Sequence, residues 1–383
     1  MDIGVITREF SPLTRNGGIG TAMRFLCEAL AKAGGHRLTV YFTGRPSLRM
    51  GGFARQMHRR GISFRPVIAP LGLLLHDQRR RSCAVEQALA GTRHDCLLFH
   101  EFMADAWCYL QQRPPGAPAC GMVTHGSALW VDEGNAVVAA DGPRAEVYAM
   151  ERQCCEQADF LVSPSRYLLQ WMRGHGWRLP ERSLVIPNFT APLGAVPPGR
   201  PEDAAPPREL VFFGRLEERK GLRVFCDALL LLPPELLAGR RVTFLGREGG
   251  YTPEQVRDWL APLGEAGPRL TFHTHLDAPA ARAYLCGEGR LGVMPSLREN
   301  SPCVVSECLE SGIPFLASAS GGGPELARPE DADCFVEPDA AKLADRLGHI
   351  LASGPPGPAQ PHHTTQDLLA AWQEVLGRSA ARA

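Results

Sequence analysis

The sequence predicts an α/β protein made of two units, each a parallel sheet covered by helices. Three observations carry this. Short apolar runs alternate with longer segments of helical periodicity along the chain. A length of 383 residues exceeds what one hydrophobic core ordinarily fills. Residues 189–208, FTAPLGAVPPGRPEDAAPPR, interrupt the alternation with a Pro-rich stretch that has no period, as a semi-rigid linker does. The boundaries that follow are a first domain over 1–188, a linker over 189–208, a second domain over 209–353, and a tail with one helix over 354–383.

In the first domain, Asp2 to Ile6 is an apolar strand, and the loop REFSPLTRNGGIG leads to TAMRFLCEALAKAG. There Met23, Leu26, Ala29, Leu30 and Ala33 recur at helical spacing before Gly34 and Gly35 stop the run. RLTVYF is a second strand. Gly17, Gly18 and Gly20 lie in the strand-to-helix turn, where backbone without side chains approaches a phosphate. A dinucleotide fingerprint is incomplete, because Met23 stands at the third glycine position and the second strand runs out into Thr43, Gly44 and Arg45 without an acid. Residues 45 to 82 hold the basic clusters Arg55–His58–Arg59–Arg60 and Arg79–Arg80–Arg81, on either side of the apolar run Leu71 to Leu75. They form a solvated basic face or, alternatively, a weak contact with a membrane surface.

Cys96 to Phe99 is a strand ending in His100 and Glu101, and Ala119 to Thr124 is another, ending in His125 and Gly126. Open α/β sheets place ligands just past the carboxyl ends of their strands, which makes both histidines candidates and His125 the stronger one. SALWVDEGNA reads as a loop whose Trp130, Asp132 and Glu133 offer an aromatic platform with carboxylates to an acceptor. Helix-like Pro143 to Gln157 precedes the strands in DFLVS and LVIPN.

The second domain repeats the alternation in ELVFFGRLEERKGLRVFCDALLLL, RVTFLG and RLTFHTHLD. Arg215 and Lys220 flank an acidic strand-to-helix turn, where a guanidinium fork and an ammonium point charge can meet a diphosphate. Leu291 to Met294 is a buried-type strand ended by Pro295, and Pro302 starts a helix that Gly312 and Pro314 stop. The loop between them carries Glu299, Asn300 and Ser301. It sets a carboxylate and free N–H groups at a helix N-terminus, a place that favours anions, and Glu307 falls in the second turn. Asp339 to Leu351 and TTQDLLAAWQEVL are amphipathic helices.

Glu299 and Glu307, in PSLRENSPCVVSECLESGIPFLAS, resemble the paired-glutamate motif of retaining GT-B glycosyltransferases, in particular family 4, and FFGRLEERKGL, VSPSRYL and VIPNF are similar to further segments of that family. The resemblance implies two Rossmann-like domains facing across a cleft, with the terminal helix returning to the first. It implies a nucleotide diphosphate sugar as co-substrate and donor. Glu299 would contact a sugar hydroxyl, Asn300, Ser301 and Pro302 would serve the diphosphate, and Glu307 would hold the ribose. Arg215 and Lys220 would neutralise the leaving group, Gly17 and Gly18 would face the diphosphate, and His125 would lie beside the sugar. No metal or other cofactor is implied. The acceptor is a hydroxyl or amine on a small molecule, a glycan or a lipid-linked molecule. A GT-B epimerase or phosphorylase, and a non-catalytic sugar-nucleotide binder, are the competing readings.

Lys+Arg and Asp+Glu both number 41, a balance that removes any overall bias toward nucleic acid. The 12 cysteines lack the short paired spacings of a zinc site and are expected as thiols in a reducing cytoplasm. No secretory leader and no bilayer-length apolar run is expected, and the sequence leaves the oligomeric state open.

Overall fold

The structure, a computed structural model, describes residues 1–14, 18–45, 47–67, 78–190, 205–265 and 267–380. Gly17, the run Leu71 to Leu75 and most of the expected linker lie outside the described residues. The chain divides into two compact units, Met1–Thr190 with His363–Ala383, and Ala191–His362.

The first unit begins with β1 (Asp2–Thr7), α1 (Gly18–Ala33), β2 (Arg37–Phe42), α2 (Met50–His58), β3 (Ile62–Pro66), α3 (Gln78–Leu89) and β4 (Cys96–His100). It continues with α4 (Trp107–Gln111), β5 (Ala119–Val123), α5 (Ala128–Gly134), α6 (Gly142–Gln157), β6 (Phe160–Ser163), α7 (Arg166–Gly174) and β7 (Ser183–Val185). The second unit holds β8 (Glu209–Phe213), α8 (Leu222–Leu231), α9 (Pro234–Leu237), β9 (Arg241–Leu245), α10 (Pro253–Leu260), β10 (Arg269–His273) and α11 (Ala278–Leu285). It ends with β11 (Arg290–Met294), α12 (Cys303–Ser311), β12 (Phe315–Ser318), β13 (Phe335–Val336) and α13 (Ala340–Ser353), after which α14 (Thr365–Ala380) belongs to the first unit.

The 7-stranded sheet has the order β3-β2-β1-β4-β5-β6-β7 and the 6-stranded sheet the order β10-β9-β8-β11-β12-β13, with parallel pairing throughout. Each unit therefore starts in the middle of its sheet, winds outward one way, and then reverses. The reversal falls between β1 and β4 in one unit and between β8 and β11 in the other, and the crevice past the carboxyl ends of such a strand pair is where doubly wound sheets bind ligands.

Continuous apolar strands such as β4, buried at every position, require cover on both faces. In the first unit Met23, Leu26 and Leu30 of α1 join Leu368, Trp372, Val375 and Leu376 of α14 on one face, while Val85, Tyr109, Met150 and Trp171 cover the other. In the second unit Phe225, Leu229 and Leu347 lie on one face and Leu285, Cys308 and Leu309 on the other.

Three expectations are corrected. SALWVDEGNA is not a loop: Ser127 accepts the Trp130 N–H at 3.2 Å as an N-cap and starts α5. The tail expected over 354–383 is shared between the units, because the His362 N–H donates to the Leu326 carbonyl at 2.8 Å and Ala359 is buried in the second core. The cysteines are not all thiols, since Cys83 on α3 and Cys108 on α4 form a disulfide. The others are free and, apart from Cys286 and Cys303, buried.

Candidate active site

The loops past β8 and β11 pack on each other at the reversal point of the second sheet. Residues Glu218–Lys220 form one 3-10 turn that ends at Gly221, whose φ of 70° and lack of a side chain are both needed. A Cβ there would lie 1.9 Å from the Pro295 carbonyl oxygen. The Leu297 N–H donates to the Arg219 carbonyl at 2.9 Å, and the Arg219 guanidinium donates to the Arg298 carbonyl at 3.0 Å. Behind them Gly321, with φ 96°, lets the next turn approach, and the Gly322 N–H donates to the Glu299 carbonyl at 3.0 Å.

This stitching brings the Lys220 ammonium onto the Glu299 carboxylate, with an Arg219 nitrogen 3.6 Å from the other oxygen. Burial works against charge on Glu299, but Lys220 and Arg219 outweigh it and hold the carboxyl below its ordinary range. Arg215 stands more open, 53% exposed, with Glu217 at 3.0 Å. Asn300 is buried, and the buried Ser301 Oγ has no hydrogen-bond partner. Pro302 is the N-cap residue of α12. Glu307 pairs with Arg282 of α11 at 3.4 Å, yet burial pushes its carboxyl up to about 7. Burial, then Glu307 and Glu299, push the Cys303 thiol up to about 12, so both glutamates act on the first residue of α12.

At the reversal point of the first sheet the Arg8 N–H donates to His100 Nε2 at 3.1 Å, and the Arg8 guanidinium grips Asp105 at 2.8 and 3.0 Å. The Glu101 carboxylate accepts the N–H groups of His125 at 2.7 Å and Gly126 at 2.6 Å. Glu151 of α6 accepts those of Met103 at 2.6 Å and Ala128 at 2.7 Å. Burial pushes the Glu101 carboxyl up to about 7 and that of Glu151 to about 8, and it drives His100 down to about 4 and His125 to about 3. Both imidazoles are therefore neutral at pH 7, their centroids 6.4 Å apart. Gly18 is the exposed first residue of α1.

With both crevices described, the match to known sequences is direct: residues 17–188 fit the family described as Glycosyl transferase 4-like domain, and residues 207–353 fit Glycosyl transferases group 1. The chain is a group 1 glycosyltransferase of the GT4-like kind. Solved structures similar to this glycosyltransferase have the GT-B fold. Sucrose-phosphate synthase from Thermosynechococcus elongatus is 19% identical with a TM-score of 0.68, over 99% of this chain and 92% of that one. HepE of Anabaena in complex with UDP is 15% identical with a TM-score of 0.63, over 99% and 95%. The lipopolysaccharide outer core galactosyltransferase WaaB is 14% identical with a TM-score of 0.66, over 100% and 99%. A D-inositol 3-phosphate glycosyltransferase of Nocardioides sp. is 28% identical over 165 residues, 40% of this chain, and the chain spans 35% of the length of that relative.

Within this glycosyltransferase the side chains expected to form an acceptor platform are turned to structural partners. Trp130 is 4% exposed in the core, Asp132 accepts from Arg144 at 2.6 and 2.9 Å and from the Tyr148 hydroxyl, and Glu133 accepts from the Trp171 indole at 3.0 Å. Arg8, Asp105, Glu151 and Arg282 escape a reading of the sequence. Arg8, just past β1, obeys the same strand-end rule that points to His100, whereas Glu151 and Arg282 are mid-helix and look like solvated charges. Among the described residues no group of three or more His, Cys, Asp or Glu could hold a metal ion, and no helix is long and apolar enough to cross a membrane.

Proposed function

We propose that this glycosyltransferase moves a hexose-type sugar from a nucleoside diphosphate sugar to a hydroxyl or amine acceptor, with retention at the anomeric carbon and without a metal ion. The observation that carries the reading is the cluster at the second sheet's reversal point, where Lys220 and Arg219 both face the single carboxylate of Glu299. With Arg215 and Glu217 counted in, three cations stand against two carboxylates and leave excess positive charge in a partly buried crevice, which favours a diphosphate and the charge it gains on leaving. Arg215, exposed and paired with Glu217, adds a guanidinium fork beside it.

The N-terminus of α12, with Asn300, Ser301 and Pro302 before it, supplies N–H donors and the positive end of the helix dipole to the same anion. Glu299 reads a sugar hydroxyl, and Glu307 holds the ribose. His125, neutral, lies beside the sugar as a hydrogen-bonding group. Leaving group and acceptor share one face of the sugar, and a diphosphate oxygen takes the acceptor proton. No nucleophilic carboxylate is then needed. The acceptor is a small molecule, a glycan or a lipid-linked molecule, and the partners of Trp130, Asp132 and Glu133 argue against their touching it.

HepE binds UDP and UDP-glucose, which makes UDP-glucose the first donor to try in a thermal-shift screen alongside GDP-, ADP- and dTDP-sugars. Lys220→Ala or Arg215→Ala is expected to lower turnover by more than about tenfold, and Glu307→Ala to raise the donor KM, with activity unaffected by EDTA. Unchanged kinetics in all three variants would overturn the site.

A further inference from the structure

Glu101 and Glu151 are both 0% exposed, and among the described residues neither takes part in an ion pair. A carboxylate in that position is costly to bury, so its hydrogen bonds indicate what holds it there. Both direct their oxygens at backbone N–H groups of two loops, the one past β4 and the one past β5. These loops adopt conformations that need holding. Met103 and Ala104 have φ of 66° and 50°, a left-handed backbone that is unfavourable for residues with a side chain unless its surroundings impose it. Gly126 has φ 128°, and a Cβ on it would meet the Trp130 ring at 2.8 Å. One Glu151 oxygen takes the N–H of Met103 and the other that of Ala128, so a single side chain of α6 spans both loops. A single Glu101 oxygen takes the two successive N–H groups of His125 and Gly126.

We infer that Glu101 is a positioning residue for sugar transfer: its carboxylate fixes the His125–Gly126 backbone and thereby aims the His125 ring, while Glu151 locks the two loops around it. The inference rests on the role given to His125 above. On either side of this stretch the Thr124 N–H donates to the Val162 carbonyl at 2.8 Å and Ser127 caps α5. A loop released by loss of Glu101 would let the ring drift, and misplacement of about 1 Å lowers turnover by about a hundredfold without weakening donor binding in the other unit.

The groups that face Glu101 are His100 on β4, the His125 loop past β5, and Glu151 and Cys155 on α6, with Arg8 and Asp105 beyond His100. None of the cations pairs with it, and ionisation strengthens its grip on the two N–H groups. Turnover is therefore expected to fall on the acid side as Glu101 takes up its proton, near its value of about 7.

The test compares Glu101→Gln, which keeps an acceptor oxygen, with Glu101→Leu, which removes it, using the nucleotide sugar that gives the largest thermal shift. Glu101→Leu is expected to lower kcat by about a hundredfold with donor KM within about twofold, and Glu101→Gln to retain kcat within about tenfold while losing the acid limb. Wild-type kcat in Glu101→Leu, a loss confined to KM, or an acid limb kept in Glu101→Gln overturns the inference. If Glu101→Leu fails to fold, Glu101→Gln decides through its pH profile. Hydrogen exchange of peptides spanning residues 120–130 gives a reading independent of turnover: exchange at the His125 and Gly126 amides should quicken by about tenfold or more in Glu101→Gln at pH 8, and an unchanged rate overturns the inference. His125→Ala is measured alongside. Wild-type turnover in that variant removes the role of His125, whereas impairment there with unimpaired Glu101→Leu removes the present inference alone.

Discussion

A buried carboxyl group with no cation against it keeps its proton to higher pH, and the pH at which it lets go is a statement about stability. Glu151 is pushed by burial from 4.5 to about 8 and Glu101 to about 7. The unfolded chain releases these protons near 4.5, so from there up to about 8 the folded state binds more protons and becomes less stable as pH rises. His100 and His125 act with opposite sign: burial drives them from 6.5 to about 4 and about 3, so stability rises with pH up to about 6.5. Above that pH only the carboxylates remain. Glu151→Gln is therefore expected to change Tm little at about pH 5, to gain on wild type steadily up to about pH 8 and to level off above it, measured by scanning fluorimetry in matched buffers. A Tm difference that does not vary with pH would show that Glu151 titrates alike in the folded and unfolded chain. Glu151 also marks the limit of sequence reading at this scale. Lys220, Glu299 and His125 are legible because each stands just past a strand, but a mid-helix glutamate reads as solvated until α6 is seen to turn it inward.

At the scale of elements, strands and helices with a clear period are legible and their neighbours are not. RLTVYF and the Gly312 stop of α12 can be read directly, whereas β3 is missed, because it is a polar strand buried only at Ile62. Glu209 is a case where the element's meaning lies outside it. It opens β8, and at 5% exposure accepts from Thr243 of β9, Tyr284 of α11 and Arg290 of β11, the last at 2.9 Å. Burial works against its charge, but those three donors outweigh it and hold the carboxyl below the ordinary range. One side chain thus fastens the central strands at their amino ends, the opposite edge from Lys220 and Glu299. Glu209→Ala would leave the partly buried Arg290 guanidinium without its carboxylate and take from Thr243 and Tyr284 the acceptor they share. It is expected to cost about 3–5 kcal/mol in a urea melt while leaving the donor-induced thermal shift of the folded protein intact. An unchanged midpoint would mean that the donors find other acceptors.

At the scale of the molecule, the order of the chain is not the order of the units. The sequence shows α14 as an amphipathic helix after a Pro-rich stretch, but amphipathicity names an apolar stripe and not the surface that it covers. That surface belongs to the first unit: Leu368, Trp372, Val375 and Leu376 complete the core around Met23, Leu26 and Leu30, and the Arg182 guanidinium donates to the Val375 carbonyl at 3.2 Å. Each such side chain contributes about 1.5–3 kcal/mol by burial, and four together are comparable to the net stability of a domain, about 5–15 kcal/mol. Residues up to His362 stay with the second unit, so a chain ending there keeps one core whole and opens the other. Such a truncation is expected to abolish the calorimetric transition of the first unit and make β1 to β7 sensitive to protease, while residues 205–362 still melt cooperatively. Retention of both transitions would show that the α1 face is stable uncovered, and would place the stability of the first unit in the core between its sheet and α3, α4, α6 and α7 instead.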